Sequence, residues 1–220
     1  MTLAKQLAAE TLGTAFLLAT VVGSGIMAER LAGGNVALAL LANALATGGS
    51  LYALILVFAP LCGAHFNPVV SLSAALRGQL SWTQCGLYCL AQVLGAFAGV
   101  AMAHLMFELD LYSASTHERQ GLAQAWSEAV ASFGLMMVIL GASRYKTETV
   151  AAAVASYIVA AYWFTASTSF ANPAVTLARA ASNTFSGIRP LDVPAFILAQ
   201  LIGALAATAL FRWFARQETR

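Results

Sequence analysis

The segment Ser169-Phe170-Ala171-Asn172-Pro173-Ala174-Val175-Thr176-Leu177 is a near copy of an earlier one, Ala64-His65-Phe66-Asn67-Pro68-Val69-Val70-Ser71-Leu72. In each copy, Asn-Pro opens a short apolar run. Asn is a favoured N-cap, and Pro fits the first helical position because no N–H donor is needed there. The two segments therefore predict two helix starts. The helices that they open, 67–77 and 172–182, cover only about 16 Å each, which is too short to cross a bilayer.

The composition is that of an integral membrane protein. Only 9% of the residues are charged, whereas soluble domains carry about 25%. At about 20 apolar residues per span, the chain accommodates six spans and leaves no room for a soluble domain. We expect the first span to remain in the mature protein, because no small-residue cleavage site stands apart from it.

The sequence offers nothing that nucleic-acid binding or enzyme chemistry would need. It has no Ser-His-Asp set, no ligand cluster and no phosphate-binding loop. The three cysteines, Cys62, Cys85 and Cys89, lie in apolar surroundings without metal-type spacing, which indicates small buried side chains. We therefore expect no cofactor, no metal and no enzymatic activity.

The apolar runs predict an all-α membrane protein with six transmembrane helices and two half-helices. Residues 1–220 are expected to form one transmembrane domain. The predicted spans are 7–28, 36–60, 82–107, 122–143, 149–168 and 193–214, with the half-helices after the second and fifth spans.

The chain also repeats itself. Ala91-Gln92-Val93-Leu94-Gly95-Ala96 recurs as Ala199-Gln200-Leu201-Ile202-Gly203-Ala204, and the two Asn-Pro segments recur in the same order. Three spans separate equivalent points, and because three is odd, the second copy enters the membrane upside down. We predict inverted repeats at approximately 1–107 and 122–220. The two half-helices then enter from opposite faces and meet near the middle of the membrane.

The distribution of basic residues predicts the orientation. Seven Lys and Arg residues fall on the side of the termini and four on the other, so the positive-inside rule places both termini in the cytoplasm. The first group is Lys5, Arg77, Arg144, Lys146, Arg212, Arg216 and Arg220. The second group is Arg30, Arg119, Arg179 and Arg189.

The meeting point of the half-helices predicts a pore for neutral, hydrogen-bonding solutes. Irregular backbone is tolerated at membrane depth only where it is buried or lines a wet cavity. Residues 65–66 and 169–171 would line the cavity with carbonyl oxygens. Asn67 and Asn172 would offer N–H donors, and two converging positive helix ends oppose cations.

Glu10 and Glu128 occupy matching positions in the first and fourth spans. Such carboxylates can form a proton relay, as in a secondary transporter, or accept hydrogen bonds from the irregular backbone of their own half. We favour the second role because neither has an opposite charge within the spans. His65 can respond to pH or fix its loop by a hydrogen bond, and we favour support of the loop.

The doubled Asn-Pro segment, the two glutamates and the Ala-Gln-x-x-Gly-Ala repeats resemble the aquaporin and aquaglyceroporin family. The resemblance covers nearly the whole chain. It implies six spans with two half-helices, one pore per subunit, and a homotetramer in the lipid bilayer. The boxes that would form the pore centre are Asn67, Pro68 and Val69 and Asn172, Pro173 and Ala174.

The chain departs from the family pattern at the outer constriction. Val69 replaces the usual Ala of the first box, and Val175 stands where the family has Arg. By their distance from the boxes, the other constriction positions are Thr47, Ala160 and Ser169, which implies a wide, uncharged and weakly polar mouth.

With these departures, the sequence is most similar to a bacterial branch of the family that is linked to arsenic efflux. The resemblance implies that the protein lies in the bacterial inner (plasma) membrane. The implied function is a passive channel for water, glycerol-like polyols and neutral metalloid acids such as arsenous acid. A water-selective aquaporin, a proton-coupled transporter and a purely structural protein remain as alternatives.

Overall fold

A computed structural model describes residues 1–217, and within this range the chain is helical, as the sequence predicts. Eight α-helices follow one another, and a short 3-10 helix, Pro190–Asp192, precedes the last. The helices are α1 (Leu3–Leu31), α2 (Val36–Cys62), α3 (Pro68–Leu76), α4 (Trp82–Met106), α5 (Leu122–Ala142), α6 (Thr147–Phe164), α7 (Pro173–Arg179) and α8 (Val193–Gln217).

Five of the described helices, α1, α2, α4, α5 and α8, are long and apolar enough to cross a membrane. The fifth predicted span corresponds to α6, which has 18 residues and opens with the polar Thr147-Glu148 pair. This helix ends four residues before the predicted end at Thr168. Its backbone turns extended at Thr165, and an irregular segment then leads to α7.

The half-helices are shorter than predicted. α3 has nine residues and α7 has seven, so they extend about 14 and about 11 Å. The second was expected to reach residue 182. It ends at Arg179 because the following chain turns back, and Ile188 N–H donates to the Arg179 carbonyl at 3.4 Å.

The two halves of the chain pack in corresponding ways. α1 packs against α2 and α4, α5 packs against α6 and α8, and α2 contacts α6 across the molecule. α3 and α7 each contact both α4 and α8, and they meet each other. At Gly95 the α4 backbone approaches the Thr11 carbonyl of α1, and Gly203 of α8 approaches the Ala129 carbonyl of α5. A side chain at either glycine would collide with the facing backbone.

The polar connection between α4 and α5 is anchored by a buried histidine. The His104 ring lies within 2.7 Å of the Asp110 carbonyl through Nδ1, and Nε2 lies 2.8 Å from Ser182 Oγ. His104 thus ties this connection to the chain after α7.

Candidate functional site

The N-termini of α3 and α7 are joined by their own capping residues. Asn67 Oδ1 accepts from Val69 N–H at 3.1 Å, and Asn172 Oδ1 accepts from Ala174 N–H at 3.0 Å. Each prolyl residue occupies the first turn, as predicted. Each Asn then reaches across to the other half. Asn67 Nδ2 donates to the Ala171 carbonyl and Asn172 Nδ2 to the Phe66 carbonyl, both at 2.8 Å.

This arrangement leaves donors for a solute. A side-chain amide has two N–H donors, and in Asn67 and Asn172 one of them is used by the crossing bond. Both residues border the central cavity of the molecule. The remaining N–H groups are therefore available at the point where the half-helices meet.

Glu10 holds the irregular segment that precedes α3. Its carboxylate accepts from the backbone N–H groups of His65 at 2.9 Å and Phe66 at 2.8 Å. It also accepts from Gln92 Nε2 at 2.8 Å. The side chain is completely buried. Three hydrogen bonds thus satisfy this carboxylate within its own half of the chain.

Glu128 makes the corresponding contacts in the second half. Phe170 and Ala171 N–H each donate to it at 2.9 Å, and Gln200 Nε2 donates at 2.6 Å. The glutamine of each Ala-Gln-x-x-Gly-Ala repeat is therefore the third donor to the glutamate of its own half. Neither this contact nor its partner in the first half was foreseen from the sequence.

The held segments adopt unusual backbone geometry. Phe66 and Ala171 have φ of 50° and 48°, and Ala64 and Ser169 have φ of 50°. Non-glycine residues in this left-handed region each cost on the order of 1–3 kcal/mol and persist only where their surroundings enforce them. The bonds to the two glutamates supply that enforcement. At 66 and 171 the conformation presents the carbonyls to the crossing asparagines.

A cavity of about 340 Å³ borders the half-helix junction, where Phe66, Asn67 and Asn172 line it. One end is bordered by Arg77, Tyr145 and Thr147, and the other by Thr47, Tyr162 and Arg179. Aliphatic side chains of α2, α5 and α6 line most of its wall, with polar groups at the junction and at the ends. The cavity therefore has the form of a pore with a mostly apolar wall.

Three of the four predicted constriction residues border this cavity: Thr47, Ser169 and Val175. Thr47 Oγ1 lies 3.2 Å from Tyr162 Oη. Ala160 requires a correction, because it is exposed on the outer surface of α6. Counting back from Asn172 misplaced it, since Ile158 and Tyr162 are the residues of α6 that face the cavity there.

His65 borders the cavity beside the junction. Its Nδ1 lies 3.0 Å from Ser71 Oγ, and Gln92 Nε2 donates to the same hydroxyl at 2.9 Å. The ring also contacts Tyr88, with 5.4 Å between ring centroids. The histidine thus belongs to the hydrogen-bonded network that surrounds Glu10.

The third residues of the two boxes pack against opposite halves of the molecule. Val69 belongs to an apolar cluster with Met136, Ala204 and Ala207, whereas Ala174 belongs to the cluster formed chiefly by α1 and α4. Both are buried. The small residues of α8 leave room for the larger valine.

A family model described as Major intrinsic protein matches residues 1–160 and 141–220. The chain belongs to the major intrinsic protein family. Members of this family are membrane channels for small solutes. The chain is 56% identical to aquaglyceroporin AqpS of Rhizobium meliloti over 96% of its own length and 90% of that protein. It is 28% identical to aquaporin Z of Rhodopseudomonas palustris over 63% and 62%.

A solved structure of the aquaglyceroporin from Plasmodium falciparum has the same fold. Its TM-score is 0.71 with 21% sequence identity, covering 97% of this chain and 95% of that one. The predicted all-α architecture, with spans and half-helices in the manner of an aquaporin, is thereby confirmed.

Sequence reasoning missed one residue at the mouth of this major intrinsic protein. Arg179 was counted only among the basic residues that predict the orientation, but it is 2% exposed and borders the cavity. Its guanidinium carbon lies 3.4 Å from the centre of the Phe170 ring, and its Nε donates to the Ser186 carbonyl. A guanidinium thus borders the cavity near the residues from which an uncharged constriction was predicted. The sequence did contain a signal for this position, because Arg179 follows Val175 by four residues and both therefore lie on one face of the helix.

Arg119, which was counted in the same group of basic residues, is buried in the connection between α4 and α5. Its Nε donates to the Gly187 carbonyl at 2.8 Å and its Nη1 to the Ser167 carbonyl at 3.3 Å. Its backbone N–H donates to Asp192 at 2.8 Å. These bonds fasten the connection to the segments that flank α7.

Proposed function

We propose that this protein is a passive channel for small neutral solutes. The solute class comprises water, glycerol-like polyols and neutral metalloid acids such as arsenous acid. The observation that carries the proposal is the cavity that passes both Asn-Pro boxes and opens at a mouth where Val175, Thr47 and Ser169 present methyl and hydroxyl groups. The similarity to a protein named an aquaglyceroporin supports it.

We assign the selectivity of the pore centre to Asn67 and Asn172. A solute oxygen that leaves water needs hydrogen-bond donors, and the free amide N–H groups of these residues supply them. Pro68, Val69, Pro173 and Ala174 fix the two helix starts that aim the donors. Glu10, Glu128 and His65 hold the loops and take no part in transport.

We further propose the assembly and placement of the channel. Residues 1–220 form one channel domain in which approximately 1–107 and 122–220 are inverted repeats. Four copies associate in a bacterial plasma membrane, with both termini in the cytoplasm. The lipid bilayer and the permeating solutes are the expected partners.

Stopped-flow light scattering on proteoliposomes tests the proposed function. Water, glycerol and arsenous acid are compared at equal protein density, with empty liposomes and a Val175→Trp variant as controls. We expect all three to permeate faster than in empty liposomes and the bulky indole to slow glycerol most. Water flux without glycerol or arsenous acid flux would make the protein a water channel. Flux that requires a proton gradient would indicate a transporter, and assembled protein without any flux would indicate a structural role.

A further inference from the structure

We propose that Arg179 is the charged group of the pore mouth, where it binds oxygen atoms of permeating solutes and bars cations. The inference rests on the proposed channel function and assigns a specificity-determining residue to it. With this assignment, Arg179 supplies a positive charge at the constriction, where Val175 replaces the arginine that the family usually has.

The position of Arg179 places it in the pore. It follows Val175 by four residues in α7, so the two side chains share a face of the helix. Both border the same end of the cavity together with Thr47 and Tyr162. A guanidinium one turn further along the helix therefore stands beside the methyl groups of the valine.

The hydrogen bonding of Arg179 leaves its terminal nitrogens open. Nε donates to the Ser186 carbonyl, and no protein acceptor contacts Nη1 or Nη2 among the residues whose side chains are described. Both ion pairs in that part of the chain belong to Arg189. A buried charge is ordinarily paired or ligated. The Phe170 ring, 3.4 Å from the guanidinium carbon, stabilises the cation without accepting a conventional hydrogen bond from it.

The neighbouring Arg119 shows the difference between a structural and a pore-facing arginine. Its guanidinium donates to two backbone carbonyls, of Gly187 and Ser167, and it does not border the cavity. Arg119 therefore fastens a loop, whereas the open edge of Arg179 is left for what occupies the pore.

Hydroxyl groups complete the site. The Ser169 hydroxyl is buried and has no partner in the described part of the chain. Thr47 and Tyr162 pair with each other beside it, at the same end of the cavity. A solute with several hydroxyls can accept from the guanidinium while it exchanges hydrogen bonds with these groups. The site thus fits neutral polyhydroxyl solutes and oxyacids, and its charge repels cations.

Four variants in proteoliposomes test the proposal: Arg179→Met, Arg179→Lys, the exchange variant Val175→Arg/Arg179→Val, and the control Arg30→Met. Arg30 is an exposed arginine that donates to the Phe107 carbonyl at 3.2 Å, away from the cavity. Potassium leak, proton leak, water flux and glycerol flux are measured in the same vesicles. We expect Arg179→Met to raise cation leak at least tenfold and to lower the glycerol-to-water flux ratio. Lysine and the exchange variant should restore cation exclusion, and the control should match native protein.

The outcomes separate this proposal from the proposed function. If native protein conducts and Arg179→Met keeps native cation leak and native flux ratio, the assignment of Arg179 is wrong while the channel function stands. If the exchange variant conducts water but leaks cations as Arg179→Met does, Arg179 acts only by holding the Ser186 loop, and the assignment is again wrong. If native protein conducts neither water nor solutes, both proposals fall.

Discussion

In the proposed channel, Val175 lies at the mouth of the pore beside Arg179. Valine contributes methyl groups to the cavity wall, and it is 5% exposed. A solute that enters the mouth loses part of its water shell, and a mouth without bulk at this position leaves more of that shell in place.

A Val175→Arg substitution should therefore narrow the pore for large solutes first. It adds length and five donors one turn from the Arg179 guanidinium, and the two like charges repel. We expect glycerol and arsenous acid fluxes to fall at least tenfold more than water flux, in stopped-flow measurements at equal reconstituted density. Val175→Ile adds a single methylene and serves as the matched control with near-native ratios. An unchanged solute-to-water ratio in the arginine variant would mean that Val175 does not limit passage.

The loop-supporting role of Glu10 and Glu128 can be tested by a single substitution. Glu10→Gln replaces one carboxylate oxygen by an amide donor. This donor faces either the His65 N–H or the N–H groups of Phe66 and Gln92, so at least one of these groups loses its acceptor. We expect a loss of about 1–3 kcal/mol of stability, seen as a lower Tm in detergent, with native flux per assembled channel. The exposed Glu29→Gln is the control and should leave Tm unchanged. Loss of flux without loss of Tm would instead favour a proton relay.

The residue positions that sequence reasoning placed correctly are those fixed by short-range chemistry. Asn67 and Asn172 cap their helices because Asn is a favoured N-cap and Pro fits the first helical position. Ala160 was misplaced because its position was counted through the irregular segment 165–171, which has no helical period. Arg179 was missed because its burial depends on the Phe170 ring and the Ser186 carbonyl, which long-range packing brings to it.

The half-helices α3 and α7 depend on each other as elements. Each Asn caps its own helix and donates across the junction at 2.8 Å. The cap and the crossing bond are lost together in Asn67→Ala or Asn172→Ala. Each substitution should cost about 1 kcal/mol for the cap and about 1 kcal/mol for the crossing bond, and should lower flux.

The control for this pair is Asn35→Ala. Asn35 Oδ1 accepts from Leu38 N–H at 3.1 Å and caps α2 at an exposed site, without a crossing bond. We expect it to lower Tm less than either junction variant and to leave flux intact. The double variant Asn67→Ala/Asn172→Ala should lose less than the sum of the singles, because they share the junction. Native flux in both single variants would remove the case for a common central site.

The connection from α4 to α5 is tied down by Asp192. Burial raises the pKa of Asp192, but the Arg189 hydrogen bond, the Arg119 N–H and the Arg189 charge together hold that pKa below its ordinary value. A lowered pKa means that the bonds contribute full stability above the ordinary carboxyl pKa of about 3.9. This contribution is lost as the pH falls through the lower pKa of the folded protein.

Asp192→Asn should therefore destabilise the protein at pH 7 by about 1–3 kcal/mol. The Tm difference from native protein should stay constant from pH 7 to about 5 and shrink below about pH 4. Glu118→Gln is the control, because Glu118 pairs with the same arginine but its side chain is 57% exposed, and such pairs contribute about 1 kcal/mol or less. A Tm difference that is already absent at pH 6 would contradict this assignment.

The number of spans and the internal symmetry of the protein follow directly from its sequence. Hydropathy and the internal repeat of Ala-Gln-x-x-Gly-Ala were enough for the number of spans and the meeting of the half-helices. The described helices match the predicted spans to within four residues at every end. The count of basic residues is weaker support for the predicted orientation than the sequence alone suggested. Arg119 and Arg179 are buried, so their positions reflect packing and not membrane topology.

Cysteine labelling tests the orientation directly. Ala114→Cys lies exposed in the connection after α4, and Lys146→Cys lies exposed in the connection after α5. An impermeant thiol reagent added outside intact cells should label the first and not the second. Native protein gives the background, because Cys62 and Cys85 are buried and Cys89 is half-buried. The reverse pattern would place the termini outside.

The crossing bonds at the junction also bear on how the protein is made. Asn67 and the Ala171 carbonyl are 104 residues apart, so synthesis at roughly 5–20 residues per second separates them by about 5–20 s. During that interval the amide of Asn67 and the carbonyl of Phe66 lack their hydrogen-bond partners, which are the Ala171 carbonyl and the Asn172 amide. The crossing bonds at the centre of the molecule therefore become possible only after more than three quarters of the chain has been synthesised. A chain released before residue 171 keeps open polar groups where lipid offers no replacement.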